Sequence, residues 1–281
     1  MIALALDVGA TKAAVARVSP EGEILARAEV PTGDGRDPFP AIADALRTIA
    51  EGDEAVCGIG SAGPMTVRGE AVSPVNLPAW RDFPLRALVQ QATGLHTFLD
   101  GDGKALALAE GRFGAAQGVD DYLAMVVSTG VGGGIVVGGQ LLDGATGNAG
   151  HVGHVIVEPD GRMCGCGARG CLEAEVSGTA IAAVTGHPPE EADEAVRRRA
   201  GRLTGLGVAS LVNLLGLRLA VVAGSVALGY GTPFFDEAQA ELDERARLSF
   251  AAGARIVPSA LTDAPLLGAA CVGWRGKDWR P

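Results

Sequence analysis

The stretch His154–Glu173, HVIVEPDGRMCGCGARGCLE, gathers three of the chain's five cysteines, Cys164, Cys166 and Cys171, into eight residues, with a histidine upstream. Thiolates and a neutral imidazole are the donors zinc prefers, and four of them close a tetrahedral structural site. Glycines at 165, 167 and 170 let so short a loop turn back on one centre. Disulfides and unpaired core thiols are the other uses of such cysteines. Cys164 and Cys166 are too near in sequence for an easy bridge, so the pattern favours a metal.

Two carboxylates and two glycine turns carry the rest of the chemistry. Asp7 ends the apolar run Ile2–Leu6 and precedes Gly9-Ala10-Thr11-Lys12. Small residues there let backbone N–H groups approach a phosphate, Thr11 adds a hydroxyl, and Asp7 has the charge to hold a hydrated Mg²⁺. A tight hairpin would want the same glycine. Asp102 lies in Asp100-Gly101-Asp102-Gly103, between a predicted strand, His96–Leu99, and a predicted helix, Lys104–Phe113. That is the carboxyl edge of an α/β sheet, where ligands bind. A helix N-terminus keeps such a carboxylate ionised and able to accept a proton, although the same position also suits a plain helix cap.

Ser128-Thr129-Gly130-Val131-Gly132-Gly133-Gly134 repeats the first design: an apolar strand, Tyr122–Val127, a small-residue loop with hydroxyls, then a strand, Ile135–Val137. The recurrence predicts two related β-rich lobes facing a nucleotide. Neither loop has the spacing of the lysine-bearing P-loop or the dinucleotide fingerprint. A further strand, Arg218–Ala223, ends at Gly224-Ser225, which suits a purine-binding turn as well as any strand-to-helix junction.

The elements that must position these groups follow from periodicity. Ala13–Val18 pairs with the first run as a hairpin, and Glu23–Val30 adds a third strand. Pro38–Ala50 has helical spacing, with Ile42, Ala45, Leu46 and Ile49 on one face. Ala55–Ile59 and Ala254–Ile256 read as strands; Phe83–Thr93, Ser177–Val184, Leu203–Leu215, Phe234–Ser249 and Pro265–Val272 read as helices, with a polar stretch through Arg199. Prolines make Ser73–Trp80 a loop, in which Asn76 is either a polar ligand contact or a solvated side chain. Gly144–Gly153 is glycine-rich and carries His151.

With 281 residues, 48% of them hydrophobic, the chain can bury the core of one large domain or two lobes. A net charge of −10 argues against a nucleic-acid partner. The N-terminal apolar run is too short for a secretory or membrane segment, and clustered cysteines suit a reducing compartment. A cytoplasmic protein with no membrane partner is expected.

Taken together, these motifs resemble the ROK family of sugar kinases, across essentially the whole chain. DVGATK (Asp7–Lys12) is similar to the family's first phosphate loop, DxGGTK, with Ala10 in place of a glycine; STGVGGGIV (Ser128–Val136) resembles the second. AGHVGH followed by CGCGARGCLE resembles the zinc signature, SPVNLPAW the sugar loop PNLPGW, and VVAGSV (Val221–Val226) the adenosine segment. The resemblance implies an α/β, two-lobed actin- and hexokinase-like (ribonuclease H-like) ATPase fold with a zinc-binding loop. Residues 1–103 would form a small lobe completed by a C-terminal helix at 265–281, and 104–264 a large lobe.

It further implies zinc ligands His154, Cys164, Cys166 and Cys171, and sugar contacts at Asn76, Asp102, His151, His154 and Glu173. Asp7, Gly9, Ala10, Thr11, Lys12, Thr129, Gly130, Gly132, Gly133, Gly224 and Ser225 would hold ATP and Mg²⁺. A gapless placement sets Gly101-Asp102-Gly103-Lys104 against the NDAN of the catalytic segment, which makes Asp102 the catalytic carboxylate and leaves Gly101 without the asparagine that holds ring hydroxyls. Asp100 is the expected substitute. His151 stands where the family's glucokinases carry glutamate, and AGHVGH is similar to the AGHIGH of bacterial N-acetylmannosamine kinases. The implied reaction is phosphorylation of the 6-hydroxyl of a hexose or N-acetylhexosamine, with N-acetylmannosamine favoured and glucose the alternative, by a homodimer with structural zinc. A regulator of the family would add a DNA-binding helix-turn-helix ahead of the first loop, which begins here at residue 7. A sugar-binding protein without turnover is the competing class, and Gly101 is the feature in its favour.

Overall fold

The computed structural model describes residues 1–278 except 10, 34, 75, 76 and 78. Ala10 and Asn76 therefore lie outside the described residues. The chain divides into two compact units: residues 1–113, 143–149 and 262–281 in the first, and 114–142 and 150–261 in the second.

The first unit is built on β1 (Ala3–Val8), β2 (Lys12–Val18), β3 (Ile24–Pro31), α1 (Phe39–Ile49), β4 (Val56–Ser61), α2 (Leu85–Thr93), β5 (Thr97–Gly101) and α3 (Asp102–Phe113). Its sheet has the order β3-β2-β1-β4-β5, with β1, β2 and β3 antiparallel and β1, β4 and β5 parallel. Burial explains the sequence patterns. The central strands β1 and β4 are covered on both faces and are almost wholly apolar, whereas the edge strand β3, ILARAEVP, alternates.

The second unit carries β6 (Tyr122–Val127), β7 (Val131–Val137), β8 (Gln140–Leu141), α4 (Leu172–Val176), α5 (Gly178–Thr185), α6 (Glu194–Leu215), β9 (Leu219–Ala223), α7 (Ser225–Tyr230), α8 (Thr232–Arg245) and β10 (Arg255–Pro258). Its sheet order is β10-β9-β6-β7-β8, with the same senses: β6, β7 and β8 antiparallel, β6, β9 and β10 parallel. Each unit is therefore one copy of the same five-stranded plan. The two glycine turns, β1–β2 and β6–β7, occupy the same place in it.

The C-terminal helix α9 (Ala264–Asp278) belongs to the first unit. It lies so close on β4 that a side-chain carbon on Gly58 would collide with the backbone of Ala269, and one on Gly273 would sit 3.0 Å from the Gly58 nitrogen. Glycine at both positions is what lets the helix approach the sheet.

Several boundaries differ from those read off the sequence. The first unit runs to Phe113 and not to 103, because α3 starts at Asp102 directly from β5, and it also takes residues 143–149. Gly132, Gly133 and Gly134 are strand residues of β7, paired with Val126, Met125 and Ala124, so the loop itself shrinks to Ser128–Gly130. Pairing with β6 overrides their weak strand propensity, and Gly133 has no room for a side chain, since a side-chain carbon on it would be 2.9 Å from Val152. The polar stretch before Leu203 is the start of α6, capped by the Asp193 carboxylate accepting from the Val196 N–H at 2.9 Å. Its first turns face solvent and so lack the apolar periodicity that marks the rest.

Candidate active site and metal centre

In the first unit the carboxyl ends of the parallel strands collect the acidic groups. Asp7 pairs in register with Gly60, and Gly60 with Asp100, so the three lie on one line across β1, β4 and β5. Gly60 leaves room for its neighbour: a side-chain carbon there would be 3.6 Å from Asp7 Oδ1. Asp102 opens α3 and is exposed, and its Oδ1 accepts the Gly103 N–H at 2.7 Å. The helix N-terminus favours its ionised form.

These two carboxylates interact. Burial first, and the negative charge of Asp102 second, push the Asp7 carboxyl up to about 7, with Lys12 opposing. A half-buried acid of this kind, backed by a second carboxylate, fits a divalent cation, which would relieve both the desolvation and the repulsion. Without one, the folded state holds its proton to a higher pH than the unfolded chain does. Stability should then fall as pH rises from about 4 to about 7 and stay level above that. Asp7→Asn removes the slope. In the absence of nucleotide and Mg²⁺ its melting temperature should exceed the wild type's at pH 8, by about 2–4 kcal/mol of stability, with little gain at pH 4. An equal effect at both pH values would refute the buried-charge account.

Lys12 and Asp100 each form ion pairs with neighbouring side chains. Lys12 Nζ pairs with Glu29 on β3 at 2.8 Å, at the start of β2, and the first turn is closed by the Gly9 N–H donating to the Lys12 carbonyl at 3.0 Å. Asp100 is buried between Lys104, 3.3 Å away, and Arg275, 3.5 Å away, and it accepts its neighbour's Gly101 N–H at 2.9 Å. Lys104, itself buried, also donates to Asp143 at 2.8 Å and to the Gly147 carbonyl at 2.9 Å, and Arg275 reaches Asp143 at 2.9 Å. This network ties β5, α3 and α9 to residues 143–149. Sequence reading missed Lys104, Asp143 and Arg275. A lone lysine in the apolar run KALALA was the only signal.

In the second unit the segments expected to meet a nucleotide converge. Ser128 Oγ lies 2.9 Å from Ser225 Oγ, which joins the glycine turn to the Gly224-Ser225 junction between β9 and α7. Gly224 has φ +101°, and a side-chain carbon on it would be buried in the backbone of Val127. The N-terminus of α5 holds the turn from one side: the Gly178 N–H donates to the Ser128 carbonyl at 2.7 Å, and Thr179 Oγ1 to the Thr129 carbonyl at 2.9 Å. Glu173, on α4, accepts the Val131 N–H at 2.9 Å.

The metal-ligand candidates also come together. One donor atom from each of His154, Cys164, Cys166 and Cys171 falls within 4.8 Å of the others. Cys164 Sγ is 3.7 Å from His154 Nδ1, and Cys166 Sγ is 3.7 Å from Cys171 Sγ. Bonds of about 2.3 Å in a tetrahedron put donors about 3.7 Å apart, the separation that these two pairs already have. Burial and the neighbouring sulfurs push the Cys171 thiol up to about 12, while the Ala168 backbone N–H lowers that of exposed Cys166. His154 thus joins the cysteines through Nδ1. The exposed His151 ring lies nearly parallel to it, with 5.9 Å between centroids and 16° between planes.

A model described as the ROK family matches residues 3–273. The chain is 41% identical over 184 residues to glucokinase from Thermotoga maritima, covering 63% of this chain and 58% of that protein. It is 37% identical over 252 residues to N-acetylmannosamine kinase from Escherichia coli, covering 82% and 85% of the two chains. Among solved structures, a ROK hexokinase from Thermus thermophilus matches with a TM-score of 0.83 at 34% identity, over 99% of this chain and 100% of that one. A ROK family glucokinase from Streptomyces griseus, in complex with glucose and AMPPNP, matches with a TM-score of 0.83 at 31% identity, over 98% and 100%. Among the described residues, no helix is long and apolar enough to cross a membrane.

Proposed function

Because the chain belongs to the ROK family, we propose that it is an ATP-dependent sugar kinase acting on the 6-hydroxyl of a hexose or N-acetylhexosamine, with N-acetylmannosamine preferred. The observation that carries the kinase reading is the electrostatic pairing of Asp7 with Asp102 at the carboxyl edge of one sheet, beside a phosphate-type turn.

Phosphoryl transfer to an alcohol passes through a loose transition state, so the protein chiefly positions reactants and offsets charge. Asp102 would accept a hydrogen bond from the 6-hydroxyl and take its proton as the new O–P bond forms and the bond from the γ-phosphorus to the ADP oxygen breaks. Asp7 would hold hydrated Mg²⁺, which when bound neutralises phosphate charge. The backbone N–H of Thr11 in the first turn and those of Thr129 and Gly130 in the second would hold the phosphates, with Gly224-Ser225 near the adenosine. His154, Cys164, Cys166 and Cys171 would hold zinc as a cross-link that fixes the loop bearing His151.

His151 supports the acetylated sugar. An imidazole and a carboxylate meet a bulky 2-acetamido group differently, and the E. coli relative, an N-acetylmannosamine kinase, aligns over 82% of the chain. Gly101 bears on sugar affinity. A side-chain carbon there would have Met65 Cε, at 3.8 Å, as its nearest neighbour, so the backbone does not demand glycine. Gly101→Asn should fold normally and lower the sugar KM by about threefold to tenfold, through one or two added hydrogen bonds. An unchanged KM would mean that the wild type already satisfies those hydroxyls by other groups.

The test of function is ADP release with N-acetylmannosamine, glucose, N-acetylglucosamine and mannose as acceptors. The highest kcat/KM is expected with N-acetylmannosamine. Glucose as the best substrate would make the protein a glucokinase, and silence on all four would make it a sugar-binding protein.

A further inference from the structure

We propose that Glu173 is a positioning residue for the nucleotide: its carboxylate holds the Ser128–Val131 turn in the shape that presents backbone N–H groups to phosphate. The proposal rests on the kinase reading and adds to the sugar contact that the resemblance implies for this residue.

Peptide planarity supplies the argument. The carbonyl of residue i and the N–H of residue i+1 point in opposite directions across a trans peptide. The Ser128 and Thr129 carbonyls are taken by the N-terminus of α5, so the Thr129 and Gly130 N–H groups point away from that helix. The Gly130 carbonyl accepts the Ser128 N–H at 2.9 Å, and the Val131 N–H on its far side goes to Glu173 Oε2 at 2.9 Å. Each peptide of the turn therefore has its orientation set by a named partner. Glu173 fixes the last of them, and it leaves Thr129 and Gly130 as the amides aimed at a ligand.

The anchor is rigid. Glu173 rides on the single turn of α4, which Cys171 precedes and Ser177 follows as the cap of α5, accepting the Ala180 N–H at 3.1 Å. On the same turn, buried Glu175 accepts the Arg162 N–H at 2.7 Å and pairs with Arg199 at 2.7 Å and with the Arg162 guanidinium at 3.1 Å. Gly130 is sized to the carboxylate: a side-chain carbon there would be 2.9 Å from Glu173 Oε2. Side-chain volume at 130 would push the acceptor away from Val131.

The experiment is titration of the zinc-loaded protein with AMPPNP and Mg²⁺ in the absence of sugar, so that the sugar contact cannot contribute. Glu173→Ala should weaken AMPPNP binding about tenfold, as loss of one charged hydrogen bond to a buried amide predicts. Glu173→Gln keeps an oxygen to accept the Val131 N–H, and it should bind within about twofold of wild type or more tightly, since a negative charge near phosphate is removed. Gly130→Ala, which leaves α4 and the metal loop untouched, should repeat the loss while retaining zinc. A purely structural role would lower the melting temperature of both Glu173 variants without separating them. Wild-type affinity in Glu173→Ala, or an equal loss in Glu173→Gln, overturns the proposal. Failure of the folded wild type to bind AMPPNP overturns the kinase reading, and this role with it.

Discussion

Asp102→Asn is expected to lower kcat by about 10²- to 10⁴-fold, the range for removing a positioned proton acceptor, while leaving the sugar KM within a few-fold. Asparagine keeps the shape and can still accept the Gly103 N–H that Asp102 accepts at 2.7 Å, so α3 should begin as before. What it lacks is the ability to take the hydroxyl proton. The loss corresponds to about 3–5 kcal/mol of transition-state stabilisation. A second readout comes from the same substitution. Asp102 is one cause of the raised Asp7 carboxyl, so in the variant the pH at which stability levels off should move below 7. Turnover near wild type would refute the proton-acceptor role. Lost turnover with an unmoved pH profile would mean that the two carboxylates do not share a site.

Cys171→Ser is expected to remove bound zinc completely. Cys171 precedes the first turn of α4, a position where serine is at least as favourable as cysteine. The helix therefore gains nothing adverse from the change, and the effect isolates the metal. A wild type saturated a thousandfold above its Kd for zinc would lose about 4 kcal/mol of stability in the variant. His154 would lose the metal it shares with the cysteines, and the loop bearing His151 its cross-link, so sugar affinity should fall with the metal. Glu173 follows Cys171 by two residues on the same turn, so AMPPNP affinity should fall as well. Metal content by elemental analysis, melting temperature and the two titrations check this together. An active, metal-free variant would end the structural-zinc assignment.

How far each part was legible depended on the range of the interactions that decide it. The zinc candidates were readable because four donors of the right chemistry lie close in sequence, and the geometry brings those same four together. The two five-stranded sheets were readable because strand, turn and strand recur, and both copies adopt one order. Gly132–Gly134 were misread as loop because glycine has no strand propensity, and only the partner strand β6 places them in a strand. Lys12 was read as an ATP-loop residue from its place in DVGATK, and its ion pair with Glu29 on the third strand was not legible there.

The amino-acid sequence by itself determined the family, the ligand quartet and the two glycine turns, since each depends on residue types at short spacing. Only the tertiary structure decided that Asp7 feels Asp102 across the parallel strands, that Asp100 pairs with Arg275, and that Glu173 grips the second glycine turn. Those facts turn on strand register and on helices that meet residues tens to hundreds of positions away. Burial and the orientation of a peptide plane are properties of the folded surroundings, and no local pattern encodes them.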